Sequence, residues 1–458
     1  MKDEEAAQAF AVGIAAIRTQ YGVPDGFPDH VLAAADVAAA RPIDDRRADL
    51  TDVPFVTLDP VASTDLDQAF AIGRDGADLV LQYAIADVAW FVRPGDPIDT
   101  EAWKRGLTVY LPGARAGLHP PVLAEGAASL LPDGPRPAVV FTVAVGPDGR
   151  ATLREARRAI VRSRAKLGYE TVTAADLPDG FVELSRRVGV AEDARGASRV
   201  EFPEQSVQAT ADGEMQLTFE ARLPSAEQNS ALSLATNLAV AAVLQAAGTG
   251  LFRVMPEPDD RAIKRLRHTA HALRLNWPRA QTLAQFQRGL DARDPRAAAF
   301  LIAVRRAGGR ASYAPFRADV VPWHAAMAAT YVQATAPLRR LADRYVIEAA
   351  VTVTAGAPLP AWVEDGFGRL PEVMDRAATR EGEIDRAVLD LAEAIALHGH
   401  EGEEFDAVVT DTDDRGSRIQ ITEPAVVARV GRNGYEPGDE IRVRLVEANP
   451  STRTIHFE

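Results

Sequence analysis

The chain of 458 residues reads as an α+β protein with three parts: a small helical module, a large mixed domain, and a five-stranded C-terminal barrel of the OB type. Three observations predict this. Helical apolar spacing fills the start of the chain. Strand-like runs then come before long helical ones. The tail after Gly402 holds five short β-like runs. The parts are expected at 1–48, 49–398 and 400–458.

Residues 3–21 place Ala6, Phe10, Ile14, Ile17 and Tyr21 on one helical face, and Gly22-Val-Pro-Asp-Gly26 breaks the pattern. Pro28 suits the first turn of a second helix that runs to Ala40. The pair suits either a helix-turn-helix-like module or a plain packing arm. From Asp49 the texture is β-like: Val53–Leu58, Ala69–Ile72, Asp78–Val88 and Ala138–Val145, with turns at Arg74-Asp-Gly76 and Pro147-Asp-Gly149. Residues 225–250, 257–275, 325–353 and 371–397 read as helices. The tail strands are expected at Phe405–Thr410, Arg418–Thr422, Ala425–Val430, Glu440–Glu447 and Thr454–Phe457.

Composition excludes several chemistries. There is no cysteine, so disulfides, thiolate catalysis and Cys-ligated metals are ruled out. No apolar run free of charge looks long enough to span a bilayer, and Met-Lys-Asp-Glu-Glu is no signal-peptide start; a cytoplasmic monomer is expected. The net charge of −14 opposes a broad basic face, although a local basic channel on an acidic enzyme can still bind RNA. His268 and His271 have the spacing of a surface pair, with no carboxylate motif beside them.

The chemistry concentrates in Asp59-Pro-Val-Ala-Ser-Thr-Asp65-Leu-Asp67-Gln68, directly after the apolar run Val53–Leu58. Three carboxylates gathered by one turn repel one another unless a hard cation neutralises them. Mg²⁺, held by a few carboxylates and substrate phosphate oxygens, is the usual answer. A solvated acidic loop is the plain alternative.

The segment resembles the catalytic signature of the ribonuclease II / ribonuclease R exoribonucleases, through Asp59, Ser63, Thr64, Asp65, Asp67 and Ala69. Further stretches resemble the same family in the same order. They are Ala84-Ile-Ala-Asp-Val-Ala89, Arg105-Gly-Leu-Thr-Val-Tyr-Leu-Pro-Gly113, Ser129-Leu-Leu-Pro-Asp133, Ile160 to Tyr169, Asn237-Leu-Ala-Val-Ala241 and Thr335-Ala-Pro-Leu-Arg-Arg-Leu-Ala-Asp343. The likeness covers about residues 50–350, and the tail resembles the S1-like RNA-binding domain that ends many members.

The resemblance implies an RNB-type catalytic domain that degrades single-stranded RNA hydrolytically from its 3′ end to nucleoside 5′-monophosphates. It implies Mg²⁺, or Mn²⁺, held by Asp59, Asp65, Asp67 and Gln68, with Arg339 at the scissile phosphate. Tyr110 is expected to stack on the 3′-terminal nucleotides, with Phe202 as a second stacking residue or a core residue. Arg340 is expected at the phosphate or in an ion pair with Asp343. Arg154, Arg157, Arg158, Arg162, Arg164 and Lys166 form the densest basic stretch; strand alternation puts only some, with Arg162, Arg164 and Lys166 preferred, on the RNA side.

The chain departs from the family in three places. Gln68 stands where the family has a fourth acid. Ser230-Ala231 stand where it has a glutamate pair, and Glu227, Gln228 and Asn229 are out of register. The helical module occupies the place of the usual cold-shock domains. These departures sustain a second reading, a weakened or inactive RNA-binding protein on the same scaffold. A phosphatase using Asp65 and Asp67 is a third, but Ser63-Thr64 separate that pair from the strand.

Overall fold

The computed structural model describes residues 3–44, 46–197, 204–209, 215–220, 222–290, 294–413, 416–421, 423–431 and 434–458. Its centre is a closed barrel of five strands, β1 (Ala48–Asp59), β2 (Gln68–Asp75), β3 (Asp78–Ala86), β6 (Arg136–Val145) and β7 (Ala151–Gly168). A short hairpin, β4 (Val109–Leu111) and β5 (Ala114–Ala116), lies between β3 and β6 in the chain. Neighbours pair antiparallel except β1 and β7, whose parallel pairing closes the barrel.

The alternation of side chains explains the layering. On β3, Leu79, Leu81, Tyr83 and Ile85 join one buried cluster, with Phe141 and Val143 of β6. Ala84 and Ala86 point the other way, with Ala138, Val140, Ala159 and Val161. The large-residue cluster takes up helix Pro224–Ala246 and helix Leu341–Thr354. Helix Pro224–Ala246 is, against expectation, long and apolar enough to cross a membrane by length and composition. Its apolarity has a local cause: it is mostly buried between the barrel and neighbouring helices, so more than one of its faces needs apolar residues.

The first two helices form a packing arm. Asp3–Gln20 lies on the long helix Ala361–Leu397, so closely that a Cβ on Gly13 would stand 2.4 Å from Leu391. Asp29–Ala39 packs Val31, Ala35 and Ala38 against the alanine side of the barrel. The long helix starts ten residues before the expected 371 and carries Pro371 inside it.

One expected element is corrected. Residues 325–353 are not one helix: Ala325–Met327 is a 3-10 turn, Ala329–Thr330 is a short strand, and the α-helix begins only at Leu341. The alanines favour a helix, but Pro337 cannot continue one, and the extended stretch before Leu341 is held by contacts from elsewhere in the chain. The C-terminal barrel closes as expected, from Glu404–Asp413, Gly416–Ile421, Val426–Val430, Glu440–Asn449 and Thr454–Phe457.

Glu393 of the long helix ties these parts together. One carboxylate oxygen accepts Gln205 Nε2 at 2.7 Å and the Val427 amide of the C-terminal barrel at 2.8 Å. Burial pushes its pKa up to about 7, against the lowering effect of those two donors. Ionising the carboxyl therefore works against the fold, and stability should fall as pH rises from the ordinary glutamate range through 7. Glu393→Gln keeps an acceptor and carries no charge. We expect it to flatten the pH dependence of Tm and to be the more stable protein at pH 8, by up to about 3 kcal/mol. Parallel Tm-versus-pH curves for the two proteins would contradict this.

Candidate active site

The chain leaves β1 at Asp59, crosses the barrel end, and enters β2 at Gln68. That crossing carries the acids, and a second loop, residues 334–340, comes to meet it. Asp67 is 3 % exposed and joins the two. The Leu338 amide donates to its Oδ1 at 2.7 Å, and Arg339 Nε donates to its Oδ2 at 3.1 Å. Burial is the larger influence and pushes the Asp67 pKa up to about 7, although Arg339 and the Leu338 amide oppose it.

The second loop is held from behind. Asp343 is fully buried and accepts the amides of Thr335 and Ala336 at 3.0 and 2.8 Å. Arg340 turns one edge of its guanidinium to the same carboxylate, with Nε donating to Oδ1 at 3.0 Å and Nη2 to Oδ2 at 2.7 Å. The structure therefore realises the ion-pair alternative for Arg340, whereas Arg339 keeps an exposed guanidinium whose Nε alone is engaged by Asp67.

Asp59 lies beside these groups. Its Oδ2 is buried and accepts no hydrogen bond. Burial first, then the negative charge of Asp65, pushes its pKa up to about 7, while Arg339 and Lys166 pull it down. Asp65 is held on both oxygens. Arg115 Nη1 is 2.7 Å from Oδ1, and the Tyr110 hydroxyl donates to Oδ2 at 3.0 Å. Tyr110 and Arg115 face each other across the β4–β5 hairpin, which places both over Asp65. Tyr110 is 46 % exposed.

Gln68 does not point to a free ligand position. Its amide oxygen accepts the hydroxyl of Tyr83, whose burial raises its pKa and keeps it a donor. Among the described residues no three His, Asp or Glu side chains converge on one ion position. The set fits a cation that keeps much of its shell as water and phosphate oxygen, as Mg²⁺ does. Asp59 and Asp65 are the acids placed to hold it, and the orphaned Asp59 Oδ2 is the atom such an ion would satisfy.

The basic stretch on β7 divides. Arg154 pairs with Asp75 and Asp78, Arg157 with Glu155, and Arg158 with Asp87 and Glu348. Arg162, Arg164 and Lys166 alternate with the buried side and carry no ion pair among the described residues. Arg164 donates to the Thr51 carbonyl and Lys166 to the Val61 carbonyl, each at 2.7 Å. Phe202 lies outside the described residues.

Sequence reasoning missed Arg115, which the two-residue turn Pro112-Gly113 could have revealed by placing it opposite Tyr110. It also set Asn229 aside as out of register. Asn229 Nδ2 in fact donates to the Leu58 carbonyl at 3.0 Å and to the Tyr169 hydroxyl at 2.9 Å, directly behind Asp59.

Comparison with known proteins gives the family. Residues 47–353 match the RNB domain, and residues 403–458 match the RNase II-type exonuclease C-terminal S1 domain. Ribonuclease R of Aquifex aeolicus is 24 % identical, over 98 % of this chain and 70 % of its own length. Ribonuclease R of Escherichia coli is 29 % identical over 51 % of this chain and 31 % of its own. Exoribonuclease 2 of Vibrio vulnificus is 38 % identical over 28 % of this chain and 19 % of its own, so the match covers well under two thirds of the length of these last two relatives. Mycoplasma genitalium RNase R, solved with ribose-methylated single-stranded RNA, superposes with a TM-score of 0.87 at 20 % identity, over 98 % of this chain and 78 % of that one. Yeast Ssd1, described as a pseudonuclease, superposes at 0.69 with 17 % identity, over 85 % of this chain and 51 % of that one. With its barrel, its acidic crossing and its C-terminal S1 barrel accounted for, the chain belongs to the RNB family.

Proposed function

We propose that the chain is a hydrolytic 3′→5′ exoribonuclease, active as a monomer on single-stranded RNA and releasing nucleoside 5′-monophosphates with Mg²⁺ or Mn²⁺. The observation that carries this reading is the junction of Asp67 with Arg339, which brings a phosphate-binding fork to the edge of a carboxylate cluster from 272 residues away in the chain.

Each group then has a task. Asp67 positions Arg339 by its Nε, leaving the outer guanidinium nitrogens for the oxygens of the scissile phosphate. Asp59 and Asp65 would hold the cation, which supplies charge relief on the phosphate and a water of lowered pKa. Tyr110 offers a ring to the terminal base without regard to its identity. Lys166, Arg164 and Arg162 form a short cationic row leading from Asp59 along β7, suited to a phosphate backbone.

Two observations favour the second reading, a weakened or inactive RNA-binding protein. Gln68 adds no charge and its oxygen is taken by Tyr83, and the structurally similar Ssd1 is described as a pseudonuclease. The test is a 5′-labelled single-stranded RNA with a free 3′-OH, incubated with Mg²⁺, Mn²⁺ or EDTA. The nuclease shortens it from the 3′ end only with metal and releases 5′-monophosphates; a retained complex with intact RNA establishes the second reading. In this assay Asp67→Asn should lower the rate about a hundredfold or more, because an amide has one acceptor oxygen and cannot accept both the Leu338 amide and Arg339 Nε as the two carboxylate oxygens do.

A second expectation concerns Gln68→Asp. An added carboxylate should shift the Mg²⁺ activation curve to lower concentration, and superimposable curves would sink the idea. The third concerns pH. Since Asp59 ionises only near 7 without a cation, protons compete with the cation below that pH. The Mg²⁺ needed for half-maximal activity should fall by up to about tenfold per pH unit up to 7 and then level off. A flat dependence would show that the ion displaces no proton from Asp59.

A further inference from the structure

Arg115 makes contacts that neither the barrel nor the proposed reaction requires. Its guanidinium stands between two carboxylates, with Nη1 2.7 Å from Asp65 Oδ1 and Nη2 2.5 Å from Glu125 Oε2. Nη2 also donates to Thr64 Oγ1 at 2.8 Å, and Thr64 Oγ1 donates to Glu125 at 3.2 Å. Glu125 sits on the one-turn π-helix Leu123–Ala127, beside the acidic crossing.

The two arginines of the site differ in kind. Arg339 shares Asp67 with a backbone amide, and that carboxylate is almost wholly buried. Arg115, Asp65 and Glu125 are each partly open, at 27 %, 12 % and 32 % side-chain exposure. A guanidinium with a second acid already in contact can leave the first without becoming unpaired. A divalent ion on Asp65 Oδ1 would lie at contact distance from Nη1, and like charges that close repel strongly. The same oxygen therefore cannot serve both.

We propose that Arg115 is a built-in counter-cation of the site: it neutralises Asp65 until a divalent cation takes that carboxylate, and Glu125 retains the guanidinium that is displaced. Arg115 acts through Asp65 and is a positioning residue. The role rests on the metal-dependent reading above and adds a resident competitor to it. It makes cation loading an exchange of charge, so that Asp65 keeps a positive partner in either state.

The test reads cation binding without RNA, by the free Mn²⁺ signal in electron paramagnetic resonance, on the full chain and its Arg115→Gln, Arg115→Lys and Glu125→Gln variants. Arg115→Gln should bind Mn²⁺ about tenfold more tightly, because its competitor is gone. Glu125→Gln should bind several-fold more weakly, because the guanidinium loses its second acid and holds Asp65 harder. Arg115→Lys keeps the charge and should lie between wild type and Arg115→Gln. If Arg115 merely props Asp65 in place, Arg115→Gln binds more weakly, and the proposal is overturned. Unchanged affinity in Arg115→Gln, with wild type binding normally, overturns it while leaving the metal reading intact. Absence of Mn²⁺ binding in both proteins overturns the metal reading and this role together.

Discussion

Everything at this site depends on one carboxylate. Asp67 accepts the Leu338 amide and the Arg339 guanidinium from a loop 271 and 272 residues further along the chain, and so joins the acidic crossing to Arg339 directly. The crossing itself is held by short bonds: the Ala86 amide donates to the Asp67 carbonyl at 2.9 Å, the Leu130 amide to the Leu66 carbonyl at 3.0 Å, and the Leu66 amide to Ser129 Oγ at 2.9 Å. The opposing loop is held by Asp343, and the buried His119 ring is kept neutral by burial and by Arg344, with its pKa pushed down to about 3. Both loops are thus held by groups of the protein itself, and charge stabilisation by fixed groups needs such positioning.

The distribution of charge follows from the same constraint. A chain with a net charge of −14 must reach an anionic substrate through a small cationic zone. Half of the basic stretch on β7 is neutralised by neighbouring acids at the barrel's far side, and the other half runs toward Asp59. Within the centre, three carboxylates meet two arginines, and burial leaves Asp59 and Asp67 reluctant to ionise. The site is a place where added positive charge is favourable, whether it comes from a side chain or from an ion.

Much of this was legible in the sequence. The acids, Arg339 and Tyr110 were named from their motifs, and the structure brings them together. The strand-then-helix order and the five tail strands emerged from side-chain periodicity. The misread stretch was 325–340, where alanine-rich composition suggests a helix and the real conformation is imposed by Asp67, Asp343 and Asn237 from other elements. Arg115 and Asn229 were missed for a related reason: each acts across a hairpin or a helix–strand contact that leaves no local pattern.

The sequence alone determined which chemical groups are available: an acid-rich turn after an apolar strand, an arginine pair after a Thr-Ala-Pro turn, no thiols, and alternation that makes barrels. These are short-range properties, set by covalent spacing and local conformational preference. Only the tertiary structure decided how those groups are paired. It gave Arg339 to Asp67 and Arg340 to Asp343, set Tyr83 on Gln68, and brought Arg115 to Asp65. Ion pairs and hydrogen bonds depend on distances of a few ångströms between residues far apart in the chain, and those distances exist only once the barrel has closed.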